Sequence, residues 1–174
     1  MGKKIRGHFP DVPIINCTEL KRMLDDPLLA QTVVVLDTRG PAETDVSMIP
    51  GSLTTQEFEA RRDEFAGRTV VTYCTIGYRS CRYAQQLRQQ GLEAKNLEGS
   101  IVRWCQKRYP IVTRSKGSDG STVETETKRV HTYDKAWALQ PDDYEAVIFR
   151  RPFLAGVRGL LPSWLGGFRK KQAS

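Results

Sequence analysis

Cys74 ends a β-branched and aromatic run, Val70-Val71-Thr72-Tyr73, and is followed by Thr75-Ile76-Gly77-Tyr78-Arg79-Ser80. A strand that turns through glycine into a helix points backbone N–H groups inward and adds the positive end of the helix dipole. The product is a concave anion site. A thiol at its base is held partly as thiolate, the form that attacks electrophiles. The N–H groups of Thr75, Ile76, Gly77, Tyr78 and Arg79 are the expected donors, with Ser80 supporting them as the helix begins. Gly77 suits the curl because it alone adopts positive φ without strain. Arg79 has two open roles: binding an anionic substrate, or pairing with Asp37 to hold the loop.

Asp37 and Arg39 follow a second apolar run, Thr32 to Leu36. A continuous β-branched run of this kind belongs to a strand covered on both faces, and hence to a parallel sheet. Asp37 and Cys74 therefore both stand at carboxyl ends of strands, where α/β folds gather their ligand sites. That makes one shared site the expectation. A purely structural Asp37–Arg39 ion pair is the open alternative. For Cys74 the competing reading is a buried thiol in a non-catalytic binding module; the complete loop favours catalysis. Cys81, inside the next helix, is expected to be a core thiol, and Cys17 and Cys105 are read as ordinary thiols. His131 and Trp137 are expected to pack.

The elements that must position these residues alternate. Residues 1–13 read as a loose lead-in, broken by Pro10 and Pro13. Ile14-Ile15 suggests a short strand, and Asn16 with Glu19 a helix start. Residues 41–53 are loop-like, and residues 55–66 helical with Gly67 as the stop. A helix is expected from Arg79 to Gln90, a strand from Ala94 to Leu97, and a short helix with Ile101, Trp104 and Cys105. Short connections between strands and helices predict an α/β layer structure with a mostly parallel sheet flanked by helices. Beyond Pro110, residues 111–133 read as a β-hairpin about a Gly117–Gly120 turn. The expected divisions are a lead-in (1–11), a domain (12–113), a hairpin-like extension (114–149) and a basic-apolar tail (150–174).

The 174 residues are 39% hydrophobic and 27% charged, the balance of a folded chain. The net charge is +7, yet Arg150, Arg151, Arg158, Arg169, Lys170 and Lys171 place +6 of it in an acid-free tail. A nucleic-acid enzyme spreads basic residues about its groove, so no nucleic-acid partner is expected. The tail suits a protein partner or a peripheral membrane contact. Four cysteines without CxxC spacing, and two histidines, predict free thiols in the cytoplasm or another reducing compartment. Neither a metal nor a cofactor is expected.

Asp37-Thr38-Arg39, Glu43, Ile49-Pro50-Gly51-Ser52, the Cys74–Ser80 loop and Leu97-Glu98-Gly99-Ser100-Ile101 with Trp104 occur in one order. Together they resemble a single-domain rhodanese over roughly residues 12–113. One departure is Ser47-Met48, where that family usually has Gly-His. The resemblance implies a sulfurtransferase with Cys74 as nucleophile. It would take a small anionic sulfur donor such as thiosulfate and pass the sulfur to a thiol or cyanide-type acceptor. It also associates a six-residue loop, here Cys74 to Arg79, with sulfur substrates. Phosphatases and arsenate reductases of the same fold carry a C-x5-R loop, one residue longer. These are the second enzymatic reading.

Overall fold

A computed structural model describes residues 2–132 and 137–149. Five parallel strands form the central sheet: Ile14–Ile15 (β1), Val33–Asp37 (β2), Leu53–Thr54 (β3), Thr69–Tyr73 (β4) and Ala94–Leu97 (β5), in spatial order β1-β5-β4-β2-β3. Every residue of β2 is buried, as an unbroken valine-rich run requires when helices cover both faces. The register pairs Asp37 with Tyr73, so the ends of β2 and β4 lie side by side. This alignment brings Cys74 and the 37–39 turn to one sheet edge.

Gly2–His8 (α1), Cys17–Asp25 (α2), Pro27–Ala30 (α3), Pro41–Thr44 (α4), Thr55–Ala60 (α5), Tyr78–Gln89 (α6) and Ser100–Gln106 (α7) surround the sheet. Local chemistry accounts for their ends. The Asn16 side chain accepts from Glu19 N–H at 2.9 Å and starts α2. Asp26 caps α3 through Leu28 N–H at 2.9 Å, with Pro27 at the first helical position. Gly91 stops α6 at φ of 86°, but the helix expected over 55–66 ends at Ala60, and a separate 3-10 turn, Arg62–Phe65, runs on toward Gly67. One face of the sheet packs Leu20, Ile101 and Trp104, and the other packs Phe58, Ala84 and Leu87.

Further expectations change. The lead-in is not loose: α1 and the turn after it bury Ile5, Phe9 and Val12 in the same cluster as Ala84 and Leu87. Ile5 and Phe9 lie four apart, on one side of a helix, and the nearby prolines and lysines hid that spacing. The 41–53 segment contains α4, opened by Pro41 and Gly40. The hairpin is shorter than read. Ile111–Lys116 (β6) pairs antiparallel with Thr122–Thr127 (β7), then Arg129–His131 (β8) departs to pair in parallel with Glu145–Val147 (β9). Thr127 Oγ1 accepts the Arg129 N–H at 3.2 Å where the ladder ends. Burial explains the break, since β7 is largely exposed while Val130 and His131 are covered.

The extension is tied to the sheet. Met48 and Val112 form an antiparallel bridge. Arg114 donates to the Ser52 carbonyl and pairs with Glu57 and Glu124, whose carboxylate also accepts Gly51 N–H. Among the described residues no helix is long and apolar enough to cross a membrane. The tail expected to meet a partner or a lipid surface, residues 150–174, lies outside the described residues.

Tyr73 fixes the path between these parts, because its buried hydroxyl accepts Ile49 N–H at 3.0 Å and pairs with Ser52 Oγ at 2.9 Å. Tyr73→Phe leaves a buried N–H without that partner and is expected to cost about 1–3 kcal/mol. A urea melt checks this: the midpoint falls at unchanged slope, and an unmoved midpoint refutes the assignment.

Candidate active site

The N-terminus of α7 grips the chain where β4 ends. Cys74 N–H donates to Ser100 Oγ at 3.1 Å, while the Cys74 and Thr75 carbonyls accept Ile101 and Val102 N–H at 3.2 and 3.3 Å. From this anchor the loop curls to Gly77, whose φ of 111° is the left-handed backbone expected there. A Cβ at Gly77 would meet only ordinary contacts at 3.5 Å or more, so backbone conformation and not crowding selects glycine. The curl brings Gly77 N–H to 3.1 Å from Cys74 Sγ. Helix α6 then begins at Tyr78.

Cys74 is only 1% exposed. Burial alone pushes its thiol up, but the Arg79 charge, the Ser80 hydroxyl and N–H and the Gly77 N–H outweigh it, and the net shift is downward. Ser80 has a single hydroxyl proton, and Asn96 Oδ1 lies 2.7 Å from its oxygen, so sulfur and amide compete for it. The Arg79 charge and the backbone donors are the dependable part. The other cysteines behave differently: burial raises Cys17 to about 11 and Cys81 and Cys105 to about 12. Cys81 is a core thiol, as expected.

Arg79 does not pair with Asp37. Its Nη1 and Nη2 donate to the two carboxylate oxygens of Glu43 at 2.7 and 2.8 Å, a bidentate fork, and Nη2 also reaches Thr75 Oγ1 at 3.2 Å. Asp37 is closed off by Arg39, with Nε at 2.9 Å and Nη2 at 2.6 Å. Both of those side chains are fully buried, and Arg39 Nη2 also donates to the Ser47 carbonyl. Asp37 thus shares the strand edge while its carboxylate turns to the neighbouring turn. Of the alternatives open in the sequence, the structural pair is the one present.

Glu43 is the residue the sequence argument quoted but gave no role. It sits on α4, 1% exposed, with Oε2 accepting Gly40 N–H at 3.1 Å and Oε1 3.1 Å from His131 Nδ1. Burial would raise its carboxyl, but Arg79, His131 and Arg39 together hold it well below the ordinary carboxylate range. Glu43 and Arg79 are 36 residues apart, Glu43 and His131 88. No local spacing signals either contact. His131, expected only to pack, also stacks on Phe149 at 4.5 Å. Trp137 is half-buried.

A groove of about 340 Å³ opens beside the loop, lined by Thr38, Thr55, Tyr78, Arg79, Arg82, Tyr83 and Gln86. Arg79 shows 28% of its side chain there, and among the described residues no acidic one lines the walls. Ile76 faces a second cavity of about 300 Å³ against Ile5 and Arg6. Among the described residues no group of three or more His, Cys, Asp or Glu could hold a metal ion.

Comparison with known proteins agrees with this geometry. The family model of the Rhodanese-like domain matches residues 16–107. A tRNA uridine(34) hydroxylase of Bordetella pertussis is 32% identical over 131 residues, 67% of this chain and 51% of that protein. Its counterpart in Variovorax paradoxus is 33% identical over 107 residues, 55% of this chain and 41% of that protein. The chain thus spans about half the length of these curated relatives or less. The crystal structure of a thiosulfate sulfurtransferase from Pseudomonas aeruginosa superposes with a TM-score of 0.54 at 22% identity, covering 64% of this chain and 22% of that one. At that identity the likeness is one of fold. With the sheet, the Cys74 loop and a family match over more than half its length, this chain belongs to the rhodanese-like family.

Proposed function

We propose that the chain is a sulfurtransferase that carries sulfane sulfur on Cys74. The observation that supports this most is the Cys74 sulfur, seated at a strand end under Gly77 N–H with its thiol shifted downward beside Arg79. In the first step the thiolate attacks the outer sulfur of thiosulfate or a similar donor. A new S–S bond forms, the donor's own S–S bond breaks, and sulfite leaves with the electron pair. In the second step a thiophilic acceptor attacks the outer persulfide sulfur and restores the thiolate. The Gly77 and Ser80 N–H groups aim at the anion as an oxyanion hole aims at oxygen. Arg79 has a mixed part: it braces Thr75 through Glu43 and offers its exposed edge to an anion in the groove. The six-residue loop favours sulfur over the wider cradle of arsenate or phosphoester chemistry.

The names of the curated relatives favour a second reading, hydroxylation of a uridine in tRNA. It would set aside the expectation of no nucleic-acid partner. Such a hydroxylation takes one atom of dioxygen into the base and sends the other to water at the expense of a two-electron donor. The test is therefore incubation in air with unmodified tRNA and a chemical reductant, read by nucleoside mass spectrometry: a uridine heavier by one oxygen, absent under nitrogen, supports this reading, and an unchanged profile removes it.

Purified protein given thiosulfate and cyanide is expected to release thiocyanate, with Cys74→Ser at the background rate and Cys74 gaining one sulfur by mass. Thiocyanate no higher than the variant's background, with no persulfide, refutes the thiosulfate reaction and leaves the binding-module reading; phosphoester or arsenate turnover would replace it.

The downward shift of the thiol predicts a pH profile. A lowered thiol pKa enlarges the thiolate fraction at neutral pH. Iodoacetamide labelling of Cys74 should therefore rise with pH with its midpoint below the ordinary thiol value of about 8.5. Arg79→Gln keeps a donor for Glu43 but removes the cation, so the midpoint should move up by about one unit, slowing labelling about tenfold below it. A midpoint that stays put would show that Arg79 does not set the thiolate population.

A further inference from the structure

We propose that His131 is a positioning residue for Cys74, acting through Glu43 and Arg79. It lies beyond residues 16–107, the span of the family match, and reaches Glu43 because β8 leaves the hairpin. The imidazole and the Glu43 carboxylate are 4% and 1% exposed and 3.1 Å apart. An ionised carboxylate only accepts, so Nδ1 carries the proton of this bond. The same Glu43 Oε1 accepts from Arg79 Nη2, and Oε2 from Arg79 Nη1 and Gly40 N–H. Four donors therefore fix the carboxylate about both its torsions, and a fixed carboxylate fixes the plane of a bidentate guanidinium.

The consequence reaches the sulfur by charge. Arg79 stands between two anions, Glu43 and the Cys74 thiolate, and both favour its cationic form. A hydrogen bond from His131 to Glu43 draws negative charge away from the fork, leaving more of the Arg79 field for the thiolate. Without that donor the carboxylate turns toward Arg79 and pulls the guanidinium from Thr75 and the loop. Val130 in the core, the parallel pairing of β8 with β9 and the Phe149 ring hold the imidazole in place. This inference rests on the reading of Cys74 as the reactive thiol, but not on sulfur as its cargo.

The test separates the donor from the packing. His131→Phe keeps a ring for Phe149 and removes the proton; His131→Asn puts an amide nitrogen near the Nδ1 position and removes the ring. Iodoacetamide labelling of the Cys74 peptide is followed against pH in the full chain, with circular dichroism as the folding check. His131→Phe should raise the midpoint by about half to one unit, slowing labelling roughly three- to tenfold below it. His131→Asn should bring the midpoint back toward that of the unaltered chain. An unmoved midpoint in His131→Phe, or equal shifts in both variants, overturns the proposal. If His131→Phe does not fold, the unaltered chain serves: blocking Cys74 with iodoacetamide removes the thiolate and should shift the His131 ring nitrogen resonances, and unshifted resonances overturn it. Labelling needs no sulfur transfer, so a negative thiocyanate assay with shifted midpoints would sink the sulfur reading alone.

Discussion

A carboxylate buried to 1% exposure must be compensated or it does not stay ionised, and Glu43 organises the site around that requirement. It takes the α4 turn, the α6 arginine and the β8 imidazole as its partners. Each comes from a different part of the chain, so one charge fastens three elements to a single point. The loop that holds Cys74 is shaped from outside by this arrangement as much as by its own glycine. Removing Arg79 would leave a buried carboxylate without its counter-charge.

A second buried pair does different work. Asp37 and Arg39 close on each other at the neighbouring strand end, and Arg39 continues to the Ser47 carbonyl. Its guanidinium also lies 5.8 Å from the centre of the Tyr73 ring. Together with the Tyr73 hydroxyl on Ile49 and Ser52, these contacts set the crossing from β2 to β3. The two ion pairs divide the labour: one holds the strand ends, the other reaches Thr75 in the Cys74 loop.

Much of this was legible from local pattern. The buried valine run, the Asn16 cap, the strand Ala94–Leu97 and the positive φ at Gly77 all follow from signals a few residues long. So did the placing of Asp37 and Cys74 at one edge, because adjacent parallel strands in register bring their ends together. The Arg79 partner did not follow. Asp37 and Glu43 are both near the strand end, and choosing between them needs the orientation of α4, a four-residue turn with no periodicity of its own. His131 was further from reach, since its strand pairs with residues across a connection whose spacing carries no pattern. The helical character of residues 2–8 was hidden differently, by a short apolar spacing among basic residues and a proline two places beyond.

The near-complete enclosure of Cys74 carries a steric consequence. Its sulfur accepts Gly77 N–H, and its own N–H is held by Ser100 at the α7 terminus. A broad protein surface laid flat on the molecule does not touch a side chain so covered. The same burial keeps two Cys74 thiols from meeting when two copies collide, so the thiol is shielded from its own kind.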